Sequence, residues 1–248
     1  MTDRAFSAIV TGAASGIGRA IAARLVADGV QVLAVDLEPS RDGPGEPFEA
    51  DLTTRDGNKE AVEASIEAFG RLDAIVANAG FQHVARIEEF PEDTWDALVS
   101  LLLTSPFLLA KYSWPHLREG GRGRFVAIAS CHSLVASPFK SGYVSAKHGV
   151  LGLVRTLALE GAEAGIASVA VCPAFVRTPL VESQIASQAK AHGVPEERVL
   201  EEVILAPHAV KRLIEPDEVA DVVSLLLGPR GDLFTGTALT MDLGWTAR

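Results

Sequence analysis

A tyrosine and a lysine lie four residues apart in the stretch SGYVSAKHG, residues 141–149. If this stretch is helical, Tyr143 and Lys147 lie on one face of the helix, one turn apart. A phenol ordinarily ionises at about pH 10, and a neighbouring ammonium lowers that pKa because it favours the charged form. The pair can therefore act as a proton donor and acceptor, although two unrelated surface residues would give the same spacing.

The composition indicates one soluble, globular domain. The chain has 248 residues, of which 48% are hydrophobic, enough for one large core but not for two comfortable α/β domains. The net charge is −10 and there is no basic run, so neither nucleic acid nor an anionic membrane surface is an expected partner. No apolar run reaches the roughly 18 residues of a membrane span, and the N-terminus lacks a signal-peptide pattern. We therefore expect a cytoplasmic protein in which Cys131 and Cys172 are buried free thiols.

Short runs rich in β-branched residues alternate with helical patterns along the whole chain. Helices are predicted over residues 17–28, 55–69, most of 91–117, 143–164 and 217–227. The predicted strands are AFSAIVT, VQVLAVD, PFEADL, LDAIVAN, GRFVAIAS, IASVAVCP and ALTMDLG. This alternation predicts an α/β fold of one domain over residues 1–248: a doubly wound parallel sheet of Rossmann type, with about seven strands and helices on both faces.

One segment, residues 178–207, interrupts the alternation. It contains a helical piece over residues 196–205 that places Val199, Leu200, Val203 and Ile204 on one side. An insertion beyond the carboxyl end of a strand is where a lid over a site would lie. We expect a helical substrate lid here, the alternative being an ordinary surface excursion.

A glycine-rich turn, TGAASGIG at residues 11–18, follows the first strand and opens the first helix. Gly12 would allow a tight turn, while Gly16 and Gly18 would let backbone approach a pyrophosphate and let the helix pack closely on the sheet. The spacing is G-x-x-x-G-x-G rather than G-x-G-x-x-G, but the strand–turn–helix context is the one that dinucleotide binding requires. The turn is a candidate cofactor site.

Two acidic residues follow the second and third predicted strands. Asp36, 24 residues after Gly12, can accept hydrogen bonds from ribose hydroxyls and would repel a 2′-phosphate. No Arg or Lys stands at position 37 or at positions 13–15 to offset that repulsion, so NAD is expected rather than NADP. Asp51 is a candidate for the adenine side, although Asp also favours turns.

Together TGAASGIG, the tripeptide NAG at residues 78–80 and YVSAK resemble the short-chain dehydrogenase/reductase family over essentially the whole chain. The resemblance implies hydride transfer with Ser130, Tyr143 and Lys147 as the catalytic residues. Ser130 would hydrogen-bond the reacting oxygen, Tyr143 would exchange its proton, and Lys147 would tune Tyr143 and hold the ribose. It also implies a homotetramer. The cofactor contacts that it implies are Gly12, Ser15, Gly16, Ile17, Gly18, Asp36, Asp51, Leu52, Asn78, Gly80, Tyr143, Lys147, Pro173, Val176 and Thr178.

A narrower resemblance involves FQHVARIEEFPEDTWD, SCHSLVASPFKSGYVSAKHG, VRTPLVESQI and GWTAR. These stretches look like the bacterial D-3-hydroxybutyrate dehydrogenases of the family, which interconvert 3-hydroxybutyrate and acetoacetate. By that resemblance a substrate carboxylate is held by Gln82, His132, Lys140 and Gln184, each of which can donate to an anion. Trp245 and Phe175 would line the apolar side of the pocket or pack in the core.

The chain departs from the family pattern at two positions and in the short connection between the second and third strands. Leu102 stands where the family usually has Asn, a residue thought to fix a helix irregularity near the lysine, and Ala174 stands where Gly is common. Two alternatives therefore stay open: a dehydrogenase of another short hydroxy or oxo acid, and an NAD-binding protein that has lost turnover. The remaining histidines show no close-spaced ligand pattern, so no metal site is expected.

Overall fold

A computed structural model describes residues 5–247 of the chain, within which seven strands form one parallel sheet. The strand order is β3-β2-β1-β4-β5-β6-β7, so the chain reverses direction across the sheet between β1 and β4. Such a reversal opens a crevice at the carboxyl ends of the strands. The doubly wound sheet predicted from the sequence is confirmed. The strands are β1 (Ser7–Thr11), β2 (Gln31–Asp36), β3 (Glu46–Glu49), β4 (Ala74–Ala77), β5 (Arg124–Ile128), β6 (Ala167–Pro173) and β7 (Ala238–Met241).

Helices cover both faces of this sheet because successive strand residues point to opposite sides. In β1, Ala8 and Val10 pack in the cluster that includes α1 and α9, whereas Ile9 packs in the cluster formed with α2, α4 and α5. Both faces of β1 are therefore buried, as in other parallel sheets. The helices are α1 (Gly16–Ala27), α2 (Arg55–Phe69), α3 (Glu92–Val99), α4 (Ser105–Glu119), α5 (Ser141–Gly161), α6 (Pro179–Glu182), α7 (Ile185–His192), α8 (Glu196–Val199) and α9 (Pro216–Leu227).

The long helical stretch before β5 contains a π-helical turn, Ser100–Thr104, between α3 and α4. Leu102 lies in this turn and is buried. The irregularity is thus present although leucine cannot make the hydrogen bonds of an asparagine. By length and composition alone, the stretch Glu92–Glu119 is apolar enough to cross a membrane. One such helix is weak evidence for a membrane span, and 44% of its most apolar window is buried inside the protein.

The segment over residues 178–207 is helical, as predicted, and consists of α6, α7, α8 and a second π-helical turn, Leu200–Ile204. Val199 and Ile204 are fully buried, but Leu200 is 40% exposed, so its predicted place on the buried side was wrong. The cause is the π turn, in which the Leu205 amide donates to the carbonyl of Leu200 five residues back. This hydrogen bonding brings residues five apart, such as Val199 and Ile204, onto the same face.

Both cysteines are buried and free, as predicted. The prediction that no signal peptide precedes the first strand rests partly on residues 1–4, which lie outside the described residues. Within residues 5–247, no group of three His, Cys, Asp or Glu side chains is arranged to hold a metal ion.

Candidate active site

A cavity of about 380 Å³ lies at the carboxyl ends of the strands, at the place where the strand order reverses. Its wall combines the turns after β1, β2, β4, β5 and β6 with the first turns of α5 and the segment over residues 178–207. Two of the predicted site residues, Gly18 and Lys140, are not part of this wall. The predicted residues that line it are Gly12, Ser15, Gly16, Ile17, Asp36, Asp51, Leu52, Asn78, Gly80, Gln82, Ser130, His132, Tyr143, Lys147, Pro173, Val176, Thr178 and Gln184.

The turn after β1 needs its glycines for different reasons. Gly12 and Gly16 have φ values of +66° and +53°, which side chains rarely tolerate. A Cβ on Gly12 would also lie 2.8 Å from the Cα of Ala79, and one on Gly18 would lie 2.1 Å from the carbonyl oxygen of Gly12. Gly18 therefore permits the close packing of α1 on the turn rather than contact with a ligand. The N-terminus of α1 faces the cavity and favours an anionic group there.

The hydroxyl of Thr11 joins the ends of β1 and β4 beneath this turn. Its Oγ1 accepts hydrogen bonds from the backbone amides of Asn78 at 2.9 Å and Ala79 at 3.0 Å. In return, Asn78 Nδ2 donates to the carbonyl of Thr11 at 2.8 Å. Asn78 therefore links the end of β4 to the end of β1, and this link fixes the floor of the cavity.

Thr11→Val is expected to destabilise the protein because it leaves two amides at the end of β4 without their acceptor. An orphaned buried donor costs about 1–3 kcal/mol, so the free energy of unfolding should fall by at least about that amount. Urea denaturation would measure it, with Thr156→Val on the exposed side of α5 as the matched control. Equal midpoints for the two variants would contradict this role.

Asp36 and Asp51 line the end of the cavity near β2 and β3. Asp36 accepts a hydrogen bond from the Ala14 amide at 3.0 Å, so its carboxylate also supports the glycine turn. Asp51 caps its own turn, accepting from the Thr53 amide at 2.9 Å. Among the described residues that line the cavity, Lys147 is the only lysine or arginine. This end of the cavity therefore carries negative charge, which suits a ribose with free hydroxyls and not a phosphate.

Ser130, just beyond β5, and Tyr143, in the first turn of α5, share the other end of the cavity. The backbone amide of His132 donates to Ser130 Oγ at 3.1 Å, and the Ser130 hydroxyl also hydrogen-bonds Tyr143. Burial raises the pKa of Tyr143 above its ordinary value, and a hydrogen bond from Ser130 acts in the opposite direction. The Tyr143 phenol is therefore protonated in the protein without a bound cofactor.

Lys147 lies one helical turn from Tyr143, as the sequence spacing predicted. Its Nζ is 5.6 Å from the centre of the Tyr143 ring and donates to the carbonyl of Ile128 at 2.7 Å. Burial lowers the pKa of Lys147 to about 8. A lowered pKa of Tyr143 was expected from Lys147 together with a positively charged nicotinamide; in the protein without a cofactor, desolvation of the phenol raises that pKa. Two of the three ammonium hydrogens remain available to another acceptor.

Three of the four candidate carboxylate-binding residues line the cavity, and two of these have unpaired polar atoms. Gln82 Nε2 and Gln184 Oε1 are buried without a hydrogen-bond partner, while Gln184 Nε2 donates to the carbonyl of Leu180. His132 contacts the hydroxyls of Ser130 at 3.4 Å and Ser137 at 2.9 Å through its two ring nitrogens. Burial lowers the pKa of His132 to about 3, so its imidazole is neutral at physiological pH.

Lys140, the fourth candidate, lies next to Phe175, an aromatic residue of the cavity wall. The residue is only 3% exposed, and its Nζ is 4.7 Å from the centre of the Phe175 ring, which does line the cavity. Burial lowers the pKa of Lys140 to about 8. The sequence indicated a donor at this position but not that an aromatic ring would stand beside it.

Sequence reasoning assigned no role in the site to several residues that the fold brings there. The buried thiol of Cys131 lines the cavity, and burial raises its pKa to about 12, so it is uncharged. Leu102 also lines the cavity and shares an apolar cluster with Tyr143. Gln188, one helical turn after Gln184, is also buried with an unpaired Oε1, although it does not line the cavity. Only the spacing of Gln188 from Gln184 could have signalled its place.

A dinucleotide turn on a doubly wound sheet, with Ser, Tyr and Lys at one cavity, defines the class as a nicotinamide-dependent oxidoreductase. A family model described as "Enoyl-(Acyl carrier protein) reductase" matches residues 12–246. The chain belongs to the short-chain dehydrogenase family.

Known proteins resemble this chain over nearly their full lengths. It is 39% identical to the D-beta-hydroxybutyrate dehydrogenase of Rhizobium meliloti (strain 1021), over 98% of this chain and 99% of that protein. The D-beta-hydroxybutyrate dehydrogenase of Cupriavidus necator is 36% identical, with 98% of both chains covered. The ligand-free structure of aldohexose dehydrogenase from Thermoplasma acidophilum superposes with a TM-score of 0.89 at 30% identity, covering 99% of this chain and 95% of that one.

Proposed function

We propose that this protein is an NAD-dependent dehydrogenase that interconverts D-3-hydroxybutyrate and acetoacetate. The observation that carries the proposal is the coincidence, around one cavity, of the Ser130–Tyr143–Lys147 group with buried, unpartnered donors. Gln82 Nε2 has no hydrogen-bond partner in the protein, and the Lys140 ammonium lies next to the wall. A small anionic substrate would satisfy both donors.

In this proposal each catalytic residue handles one part of proton transfer. A bound nicotinamide supplies the hydride acceptor. Ser130, whose acceptor side is occupied by the His132 amide, donates its hydroxyl hydrogen to the substrate oxygen and orients it. Tyr143 takes the proton of the substrate hydroxyl as the phenolate, after its pKa has been lowered and its own proton has been released to solvent, and Lys147 stabilises that phenolate from one turn away.

The choice of NAD rests on Asp36. Asp36→Ala is expected to lower kcat/KM with NAD by roughly 10- to 100-fold, because the carboxylate provides charge-assisted hydrogen bonds to ribose hydroxyls. The same change should raise turnover with NADP, since the repulsion of a 2′-phosphate disappears. Steady-state kinetics with both cofactors would measure this, with Asp42→Ala in the exposed loop after β2 as control. An unchanged preference for one cofactor would contradict the assignment.

The activity itself is tested by following nicotinamide absorbance with purified protein, D-3-hydroxybutyrate and NAD. L-3-hydroxybutyrate and NADP are the controls. Turnover with the D isomer and NAD supports the proposal. Cofactor binding without turnover of this acid would contradict it, and a panel of other short oxo acids with NADH would then distinguish a different acid from a lost activity.

We further propose that the protein acts in the cytoplasm as a homotetramer. Two observations support assembly: Phe107 on α4 and Leu159 on α5 are 46% and 81% exposed, and both helices belong to the same layer. Sedimentation equilibrium would test this association.

A further inference from the structure

The side chain of Lys140 is almost wholly buried, with an exposed fraction of 3%. Within residues 5–247 its Nζ makes no hydrogen bond and no salt bridge, and Nζ is not one of the fully buried polar atoms, so part of the ammonium stays accessible. A buried charge without a partner is costly and ordinarily neutralises. Something other than an ion pair must therefore keep this side chain in place.

The face of the Phe175 ring is the group that stands opposite the charge. The distance of 4.7 Å between Lys140 Nζ and the ring centre is well inside the range of a cation–π interaction. The titratable groups whose charges interact with Lys140 are Cys131 and His132 beyond β5 and His192 at the end of α7. None of these is a carboxylate, so the ring is the electrostatic partner that the wall provides.

The ring is itself held rigidly by the chain's last described residues. Trp245 stacks on Phe175 with ring centres 5.7 Å apart and an angle of 17° between the planes. The Trp245 amide donates to the carbonyl of Asp242 at 3.0 Å, within a turn in which the Asp242 carboxylate accepts from the amide of Thr246 at 2.8 Å. Phe175 therefore presents a fixed surface to a flexible lysine.

We propose that Phe175 is a positioning residue for Lys140: its ring holds the ammonium in place and charged beside the cavity, and so makes the site selective for anionic substrates. This inference rests on the proposed function, since it concerns the same site. The ring occupies one side of the ammonium, and its hydrogens on the other sides stay free for a carboxylate. A neutral amine in the same place would lose that attraction.

The test compares Phe175→Leu with Phe175→Tyr, which keeps the ring, and with Phe69→Leu at the end of α2 as the matched control. NMR titration of protein labelled at lysine Cε, with Lys140 assigned by Lys140→Arg, measures the charge directly and needs no turnover. Phe175→Leu is expected to lower the pKa of Lys140 by about one unit, because the cation–π interaction is lost. Phe175→Tyr should restore it, and an unchanged or higher pKa in folded Phe175→Leu would overturn the proposal. Should the leucine variant not fold, Phe175→Met replaces it.

A second readout separates this inference from the proposed function. With D-3-hydroxybutyrate, KM of Phe175→Leu should begin to rise at a pH about one unit lower than in the parent, while the pH dependence of kcat stays the same. A uniform change of KM at every pH would indicate only altered packing and would overturn the positioning role. If the acid is not turned over at all, the proposed function fails, and the NMR titration still decides the role of Phe175.

Discussion

Tyr143→Phe is expected to reduce kcat/KM by about 10²–10⁴-fold, since a positioned acid–base group contributes that much to a reaction. The Ser130 hydroxyl contacts the phenol and also His132, but His132 is neutral and is bonded to two serines. The substituted ring keeps its packing against Leu102 and the rest of that apolar cluster. Stability and cofactor binding should therefore change little.

The chain offers a matched control because it has one other tyrosine, Tyr112 on α4. Tyr112→Phe makes the same chemical change outside the cavity and should leave the kinetics at the parent's values. Steady-state turnover and a fluorescence titration with reduced cofactor would be measured on both variants. A Tyr143→Phe enzyme that turns over as fast as Tyr112→Phe would show that the proton leaves by another group.

Lys140→Met is expected to lower kcat/KM for an anionic substrate by about 30- to 1,000-fold, the range found when one partner of a buried, charge-assisted contact is removed. Methionine keeps much of the apolar stem, so the loss reports on the charge. Most of the effect should appear in KM, because the ammonium attracts the carboxylate end of the substrate before and during the reaction. A neutral secondary alcohol of similar size should be affected little.

In the unsubstituted enzyme, a change of pH should alter the charge of Lys140 and so change KM for an anionic substrate. Burial sets the pKa of Lys140 at about 8, lower than the ordinary lysine value. Lys140 is therefore a charged ammonium below that pH and a neutral amine above it, so KM for the acid should rise as the pH passes about 8. Lys190→Met, on an exposed position of α7, is the control for the substitution. If Lys140→Met and Lys190→Met gave the same KM, the carboxylate pocket would be excluded.

Local signals in the sequence predicted much of this fold. Helix α2 begins and ends where its pattern indicated: Thr54 caps its start by accepting from the amide of Gly57, and Gly70 ends it in the left-handed region with a φ of 71°. The catalytic pair was predictable for a similar reason, since a spacing of four residues on one helix fixes the side of both side chains.

Long-range packing decided what the sequence did not indicate. That Lys140 lies next to Phe175 depends on a contact between segments that are distant in the chain. The raised pKa of Tyr143 likewise comes from desolvation by the assembled core, which no spacing reveals. Leu200 is exposed because the helix forms a π turn at this point, although the spacing of the apolar residues predicted that Leu200 would share a side with Val199 and Ile204.

The order of the site along the chain makes cofactor choice and chemistry separable by recombination. The carboxylate that we propose for the ribose, Asp36, and the turn that it supports belong to the first half of the sheet, before β4. Ser130, Tyr143 and Lys147 follow β5, and the two halves are joined by the parallel backbone pairing of β1 with β4, such as Ile9 with Ile75. A chimaera that joins the first three strands of a relative with a different cofactor to this chain from β4 onward would inherit the relative's cofactor preference and keep the substrate pocket.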